Sequence, residues 1–310
     1  MNEWFLDNRQ LLLRLLGTLI PIGLIFLLLR EGGWNDVLDA LKHLSLTRII
    51  LVVALVLVSR MFVATRWYIL LRSGNVKITF SESIALTFTG LFANNFLPTT
   101  IGGDVVRLAG AMQLGYDRAV CLASIAADRL VGALGMVVTL PLGLVPFFHV
   151  IGHGATQAFV FSPLVARITN FIKRTMQTFS LWLGRPYALL AAFGCTWGHV
   201  LCTCVTLYIL VEGLGGHVNF WLITGLWSLA YFVTLIPISI NGYGVQELSL
   251  TFLFSTVAGL STPISVAIAV LIRAFYVAVS LIGAFYLPSI LPALAATREV
   301  DTGEKRPVPK

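Results

Sequence analysis

The chain reads as an all-α integral membrane protein, and three observations predict it. Of its 310 residues, 57% are hydrophobic and only 11% charged, whereas soluble domains carry about a quarter charged residues. Stretches 11–29, 49–71, 120–148, 187–211 and 264–287 meet or approach the roughly 20 apolar residues that cross a hydrocarbon core. Two polar, Pro- and Gly-rich breaks, residues 94–107 and 237–247, interrupt otherwise apolar sequence. Together these predict about six spanning helices plus two re-entrant broken segments.

Arg9 and Arg14 precede the first apolar run, which continues through Leu29 without a small-residue cleavage site; it reads as an uncleaved helix rather than a secretory signal. Residues 34–46, with Asp36, Asp39 and Lys42, fit a short amphipathic helix at the interface, with Trp34 and Trp67 as interfacial anchors. The next span, 49–71, is followed by a turn holding Arg72, Gly74, Asn75 and Lys77. A moderately apolar stretch from 81 to 97 leads into the first break, NNFLPTTIGGDVVR, and 120–148 is long enough to span with tilt. The apolar run 159–168 is short and interrupted by Pro163, and a basic amphipathic stretch follows to Arg185. Helices are then expected over 187–211 and 220–236, before the second break, PISINGYGVQE, an apolar piece 248–260 and a last helix 264–287. Residues 1–297 form one membrane domain, and the hydrophilic tail 298–310 is expected to be disordered.

The breaks resemble each other. Pro98 is followed at the fourth and fifth positions by Gly102 and Gly103, then Asp104; Pro237 is followed at the same offsets by Asn241 and Gly242, then Gly244 and Glu247. Each precedes an apolar helix with an embedded arginine, Arg129 or Arg273, at separations of 25 and 26 residues from the acid. This pattern gives half-repeats of roughly 48–148 and 187–288, the arrangement of transporters with interrupted segments in corresponding positions. Arg167, Lys173, Arg174 and Arg185 before the second half, and Arg298, Lys305, Arg306 and Lys310 in the tail, place the central loop and C-terminus in the cytoplasm. The first break is then entered from inside and the second from outside, an inverted repeat, although Arg30, Lys42 and Arg48 would lie on the outer side.

Unpaired amides and carbonyls cannot face lipid, so a break at membrane depth must be buried in protein or line a wet cavity. Two breaks imply a cavity between them. Glycines there allow positive φ and close approach, and the helices that follow present amides and positive dipole ends to an anion. Helices merely kinked and packed on small residues are the structural alternative. Arg60, Arg129 and Arg273 lie inside apolar segments, with Asp104, Asp128 and Glu247 near them. Left alone at the bilayer centre, six such charges would cost ~15–20 kcal/mol at ~2.5–3.5 each. Pairs are therefore expected between Asp104 and Arg129 and between Glu247 and Arg273, the arginines being able to grip phosphate through their planar forks. Ion pairs that only fix helix packing are the alternative.

Other classes find no support. The net charge of +7 lies in loops and tails and signals topology and anionic-lipid contact, not nucleic-acid binding. Cys121, Cys195, Cys202 and Cys204 fall in apolar segments and fit small core residues rather than disulfides or a zinc site. His149 and His153 have helical spacing but no accompanying carboxylate, and His199 reads as a hydrogen-bonded packing residue. Ser124, Ser228 and Thr234 lack a nucleophile elbow, and no phosphate-binding loop or nucleotide fingerprint occurs. No cofactor and no metal are expected.

RWYILLRSG (66–74), FANNFLPTTIGGDVVRLAGA (92–111), DRLVG (128–132), PISINGYGVQE (237–247) and LIRAF (271–275), in this order, resemble the bacterial lysylphosphatidylglycerol synthase transmembrane family, a flippase-like domain, over roughly 10–290. The resemblance implies a multi-pass bacterial inner-membrane lipid translocase with a central cavity, acting on a phospholipid or other lipid-linked anion. The fused synthase domain has no counterpart here, so no synthase activity is implied. Carried over by position, the site residues are Asn95, Pro98, Gly102, Gly103, Asp104 and Arg107 in the first break, Asp128 and Arg129 beyond it, and Pro237, Gly242, Gly244, Glu247 and Arg273 in the second half, with Arg60 added from its apolar setting. Asp128 stands where the family often has Glu, and Asn241 where Gly is usual. An intramembrane lipid-modifying transferase using Asp104 or Glu247 as general base, and a scaffold for envelope assembly, are the rival readings. A homo-oligomer is compatible with either.

Overall fold

The computed structural model describes residues 42, 44–97, 102–151, 184–235 and 239–288. The runs 11–29 and 159–168, Trp34 and most of the 34–46 stretch, Pro98, His153, Pro237 and the tail 298–310 lie outside these residues. Nine α-helices occur among the described residues, and no strand. Their starts follow local capping chemistry. Helix α1, Leu46–Ser73, begins where Ser45 accepts from the Arg48 amide at 3.3 Å. Helix α2, Phe80–Asn94, opens with a capping box between Thr79 and Glu82. After α3, Gly102–Gln113, a turn through Gly115 at φ 82° leads to Asp117, which caps α4, Arg118–Thr139, by accepting from the Val120 amide at 2.9 Å.

The span expected over 120–148 is two helices, α4 and α5, Pro141–Ile151. Pro141 has no amide hydrogen to donate back into α4, and α5 turns away to pack on α7, Phe220–Thr234. Gly143 and Gly225 let these two backbones touch; a Cβ at either would strike the other's main chain. Helix α6, Pro186–Gly213, starts with Pro at its first position, and α7 is capped by Asn219. A single 3-10 turn, Ile240–Gly242, precedes α8, Val245–Thr256. Helix α9, Thr262–Ser280, closes the set and continues through Leu281, itself helical in φ and ψ, to Pro288.

Four helices are long and apolar enough to cross a membrane among the described residues: α1, α4, α6 and Thr262–Pro288. Large apolar side chains face outward on each, including Leu51, Leu122, Leu201 and Val270. Helix lengths run 28, 15, 12 and 22 residues for α1 to α4 and 28, 15, 12 and 19 for α6 to α9. Helices α1 and α6, the first of each series, form the most extensive pair. One apolar core joins α6 to α9 with the first half of α1; a second, around Leu71, Ile78, Leu86, Val106 and Ile125, holds α1 to α4 together. Trp67 belongs to this second core. Expected as an interfacial anchor, it is fully buried and donates to Ser124 Oγ at 3.1 Å, because Ser124 and Arg107 supply partners for its N–H and its ring face.

Candidate functional site

Each break is built by the residues that flank it. In the first, Gly90 on α2 and Gly103 on α3 bring the two helices into backbone contact, since a Cβ on either would collide with the other's carbonyl oxygen. Asn94 accepts from the Gly103 amide at 2.6 Å and so satisfies one of the free amides at the start of α3. Gly102 packs against Leu97 with no room for a side chain. In the second break Asn241, Gly242 and Gly244 adopt φ of 48°, 71° and 77°, a run of left-handed backbone that Gly and, less readily, Asn tolerate. That tolerance lets Asn241 occupy the turn at φ 48°.

Asn95 joins the two breaks. Its amide donates to Ser280 Oγ at 2.8 Å and its oxygen accepts from the Tyr243 hydroxyl at 2.9 Å.

Both ion pairs expected from the sequence are present. Arg129 Nε donates to Asp104 at 2.7 Å, and Arg273 Nε to Glu247 at 2.5 Å. The first belongs to a longer ladder of alternating charge: Arg66 to Asp128 at 2.6 Å, Asp128 to Arg107 at 3.2 Å, Arg107 to Asp104 at 3.1 Å, then Asp104 to Arg129. Arg66, Asp128, Arg107 and Asp104 are buried, while the Arg129 side chain at the ladder's end is 44% exposed. Asp128 and Arg129 are adjacent on α4, so their side chains leave the helix about 100° apart, one toward the buried arginines and the other toward open space. Arg273 also donates to Gln246 at 2.7 Å. Three guanidiniums lie over aromatic rings: Arg60 over Tyr276 at 4.0 Å, Arg107 over Trp67 at 4.1 Å and Arg273 over Tyr243 at 4.7 Å.

These side chains surround two adjoining cavities. The first, about 220 Å³, is lined by Arg60, Arg66, Gly103, Asp104, Arg107, Asp128 and Arg129 among others. The second, about 280 Å³, is lined by Arg60, Asn95, Arg129, Gly242, Gln246 and Arg273, and by no Asp or Glu among the described residues. Arg60, Asn94, Arg129, His199 and Tyr231 form walls of both. Glu247 lines neither and holds Arg273 from behind. Gly244 sits back from the cavities as the first turn's cap on α8.

Sequence reasoning passed over Arg66, Asn94, Tyr243 and Gln246, and took His199 for a hydrogen-bonded packing residue; its Nδ1 does lie 2.6 Å from Ser59 Oγ, and it also lines both cavities. The doublet of asparagines ahead of Pro98 was the available signal for Asn94.

The profile of the family described as "Lysylphosphatidylglycerol synthase TM region" matches residues 14–283. The chain belongs to this family. A UPF0104 membrane protein of Pyrococcus horikoshii is similar as well, 25% identical over 129 residues, or 40% of this chain; the match spans 38% of that relative's length. Membership fits the apolar helices and makes the chain a membrane protein.

Proposed function

We propose that this member of the lysylphosphatidylglycerol synthase TM region family is a lipid translocase that passes an anionic phospholipid headgroup, or a lipid-linked anionic precursor, between leaflets of the bacterial inner membrane. One observation carries the reading: the larger cavity, where the two breaks meet, is walled by Arg60, Arg129 and Arg273 and no carboxylate among the described residues. Guanidiniums there can exchange hydration for phosphate oxygens, while the apolar outer faces of α4 and α9 run alongside for the acyl chains. The matching helix lengths of α1 to α4 and α6 to α9 support a repeat, and in an inverted one the halves would rock about a fixed site. Arg72, Lys77, Arg118 and Arg185 lie near the end of the bundle where α1 finishes and α4 and α6 begin, which supports a cytoplasmic assignment for that end. The reading assigns no covalent chemistry to Asp104 or Glu247.

The test is redistribution of fluorescent phosphatidylglycerol and, separately, of fluorescent phosphatidic acid in proteoliposomes, followed by adding a membrane-impermeant quencher. Wild type should expose the inner-leaflet label faster than empty vesicles, and the Glu247→Gln, Arg273→Gln double variant should lose that gain. Equal rates for both proteins with both lipids would remove the proposal.

A further inference from the structure

Five guanidiniums, of Arg60, Arg66, Arg107, Arg129 and Arg273, line the paired cavities. Three carboxylates answer them: Asp104 and Asp128 in the ladder and Glu247 behind Arg273. Residues 98–101 and 236–238, which complete the two breaks, carry no ionisable side chain. The described site therefore holds two positive charges more than negative ones. Its unmet hydrogen-bonding capacity lies in the same place. Arg60 has no carboxylate within ion-pair reach among the described residues and is held by the face of Tyr276. Arg107, 6% exposed, keeps Nε and Nη2 without a hydrogen-bond partner among the described residues. A buried guanidinium with free N–H groups is expensive unless something with lone pairs comes to it.

We infer that the site selects a headgroup bearing two negative charges on phosphate, as a terminal phosphate, a diphosphate diester or two phosphodiesters, over a monoanionic or aminoacylated one. The inference rests on the translocase reading for its setting and on the charge inventory for its content. A dianion balances the excess and can reach donors in both compartments, because Arg60 and Arg129 are walls of each. An aminoacylated phosphatidylglycerol would bring an ammonium among the same arginines, and in the larger cavity it would meet no carboxylate among the described residues. Like charges at such separations repel strongly in a low-dielectric site. Arg60 sets the selectivity, being the cation in both walls that no carboxylate among the described residues neutralises.

The experiment is lipid binding by the purified full chain at pH 8, read by native mass spectrometry and thermal shift. The probes are phosphatidic acid, CDP-diacylglycerol, cardiolipin, phosphatidylglycerol, phosphatidylcholine and lysyl-phosphatidylglycerol. At least one dianionic probe should bind tenfold or more tighter than phosphatidylglycerol, and lysyl-phosphatidylglycerol no tighter than phosphatidylcholine. Which of the first three binds best distinguishes one doubly charged phosphate from two singly charged ones. Arg60→Gln should cut the preference at least threefold while Arg60→Lys keeps it; if Arg60→Gln does not fold, the wild-type series decides. Equal affinity across the charge series, or tight binding of the lysyl lipid, overturns the inference whatever the transport assay gives. Dianion selectivity without leaflet exchange would leave the inference standing and remove the translocase reading instead.

Discussion

Asn95 and Tyr243 tie the two breaks together: the Tyr243 hydroxyl donates to Asn95 Oδ1 at 2.9 Å, across 148 residues of sequence. The same asparagine donates to Ser280 on α9, so one polar side chain fixes the first break against two elements of the second half. Tyr243→Phe deletes one hydrogen bond and Asn95→Ala two. At ~0.5–1.5 kcal/mol per bond, Asn95→Ala should be the more destabilising, and the pair should be non-additive by ~0.5–3 kcal/mol, as for residues in direct contact. A double-mutant cycle in reversible unfolding checks this. Additive losses would mean that the breaks are held together elsewhere.

The approach of α2 to α3 makes a sharper steric demand. A methyl group at Gly103 meets the Gly90 carbonyl and the Asn94 amide that caps α3. Gly103→Ala should therefore destabilise by ~1–3 kcal/mol, the usual range for overpacking, and should shrink the cavity that Gly103 lines. Gly194→Ala in α6 is the matched control, because nothing lies within 4 Å of its added Cβ. That change should be neutral or stabilise by up to ~1 kcal/mol. Thermal unfolding of the two single variants gives the comparison directly.

Why some of this was legible in sequence and some was not follows from the partners. Asp104, Arg129, Glu247 and Arg273 could be matched in advance because charges in apolar sequence must find each other and the 25- and 26-residue separations repeat. Arg66 could not. It lies seven residues from the end of α1, where a long basic side chain ordinarily snorkels to the interface. It turns inward because Asp128 and Thr196, from α4 and α6, offer acceptors at 2.6 and 3.0 Å. Trp67 was misplaced for the same reason, its polar partner coming from another helix. The division of 120–148 into two helices hung on Pro141, one residue in a run whose hydropathy continues unbroken. Helix lengths and breaks are local properties of a sequence, whereas the inward turn of a particular side chain depends on what a distant segment presents to it.

The start of α2 should be acid-sensitive. The Glu82 carboxylate accepts from the Thr79 amide at 2.7 Å, from the Thr79 hydroxyl at 2.8 Å and from the Tyr116 hydroxyl at 3.0 Å. The Thr79 backbone hydrogen bond, ahead of the others, holds its pKa below the ordinary 4.5. A carboxyl depressed on folding contributes stability that is present above its unfolded pKa and is lost as pH falls through the folded one. Protection factors of the amides of residues 79–84 should accordingly hold from pH 7 to about 5 and decline below the ordinary carboxylate value. In Glu82→Gln they should start lower and stay flat. A wild-type profile flat down to pH 3 would show that the capping box contributes nothing to this end of the helix.

Asp128 should be the least replaceable acid of the site. It accepts from Arg66 through one oxygen and Arg107 through the other, and it is 2% exposed. Removing it leaves two buried guanidiniums without their shared counter-charge, for which ~3–5 kcal/mol is the usual loss. Asp128→Ala should lower stability by about that amount, and Asp128→Asn by less, since Asn keeps one acceptor oxygen for Arg66 Nε. Combining Asp128→Leu with Arg66→Met takes away one charge of each sign, leaves the excess of two unchanged, and should recover much of the loss because an apolar pair needs no desolvation of charge. Unfolding of the three variants in the same detergent orders them. If Asp128→Ala were as stable as wild type, water would have to reach Arg66 and Arg107 and solvate them in place of the carboxylate, and the inner end of the ladder would be part of the wet path rather than its anchor.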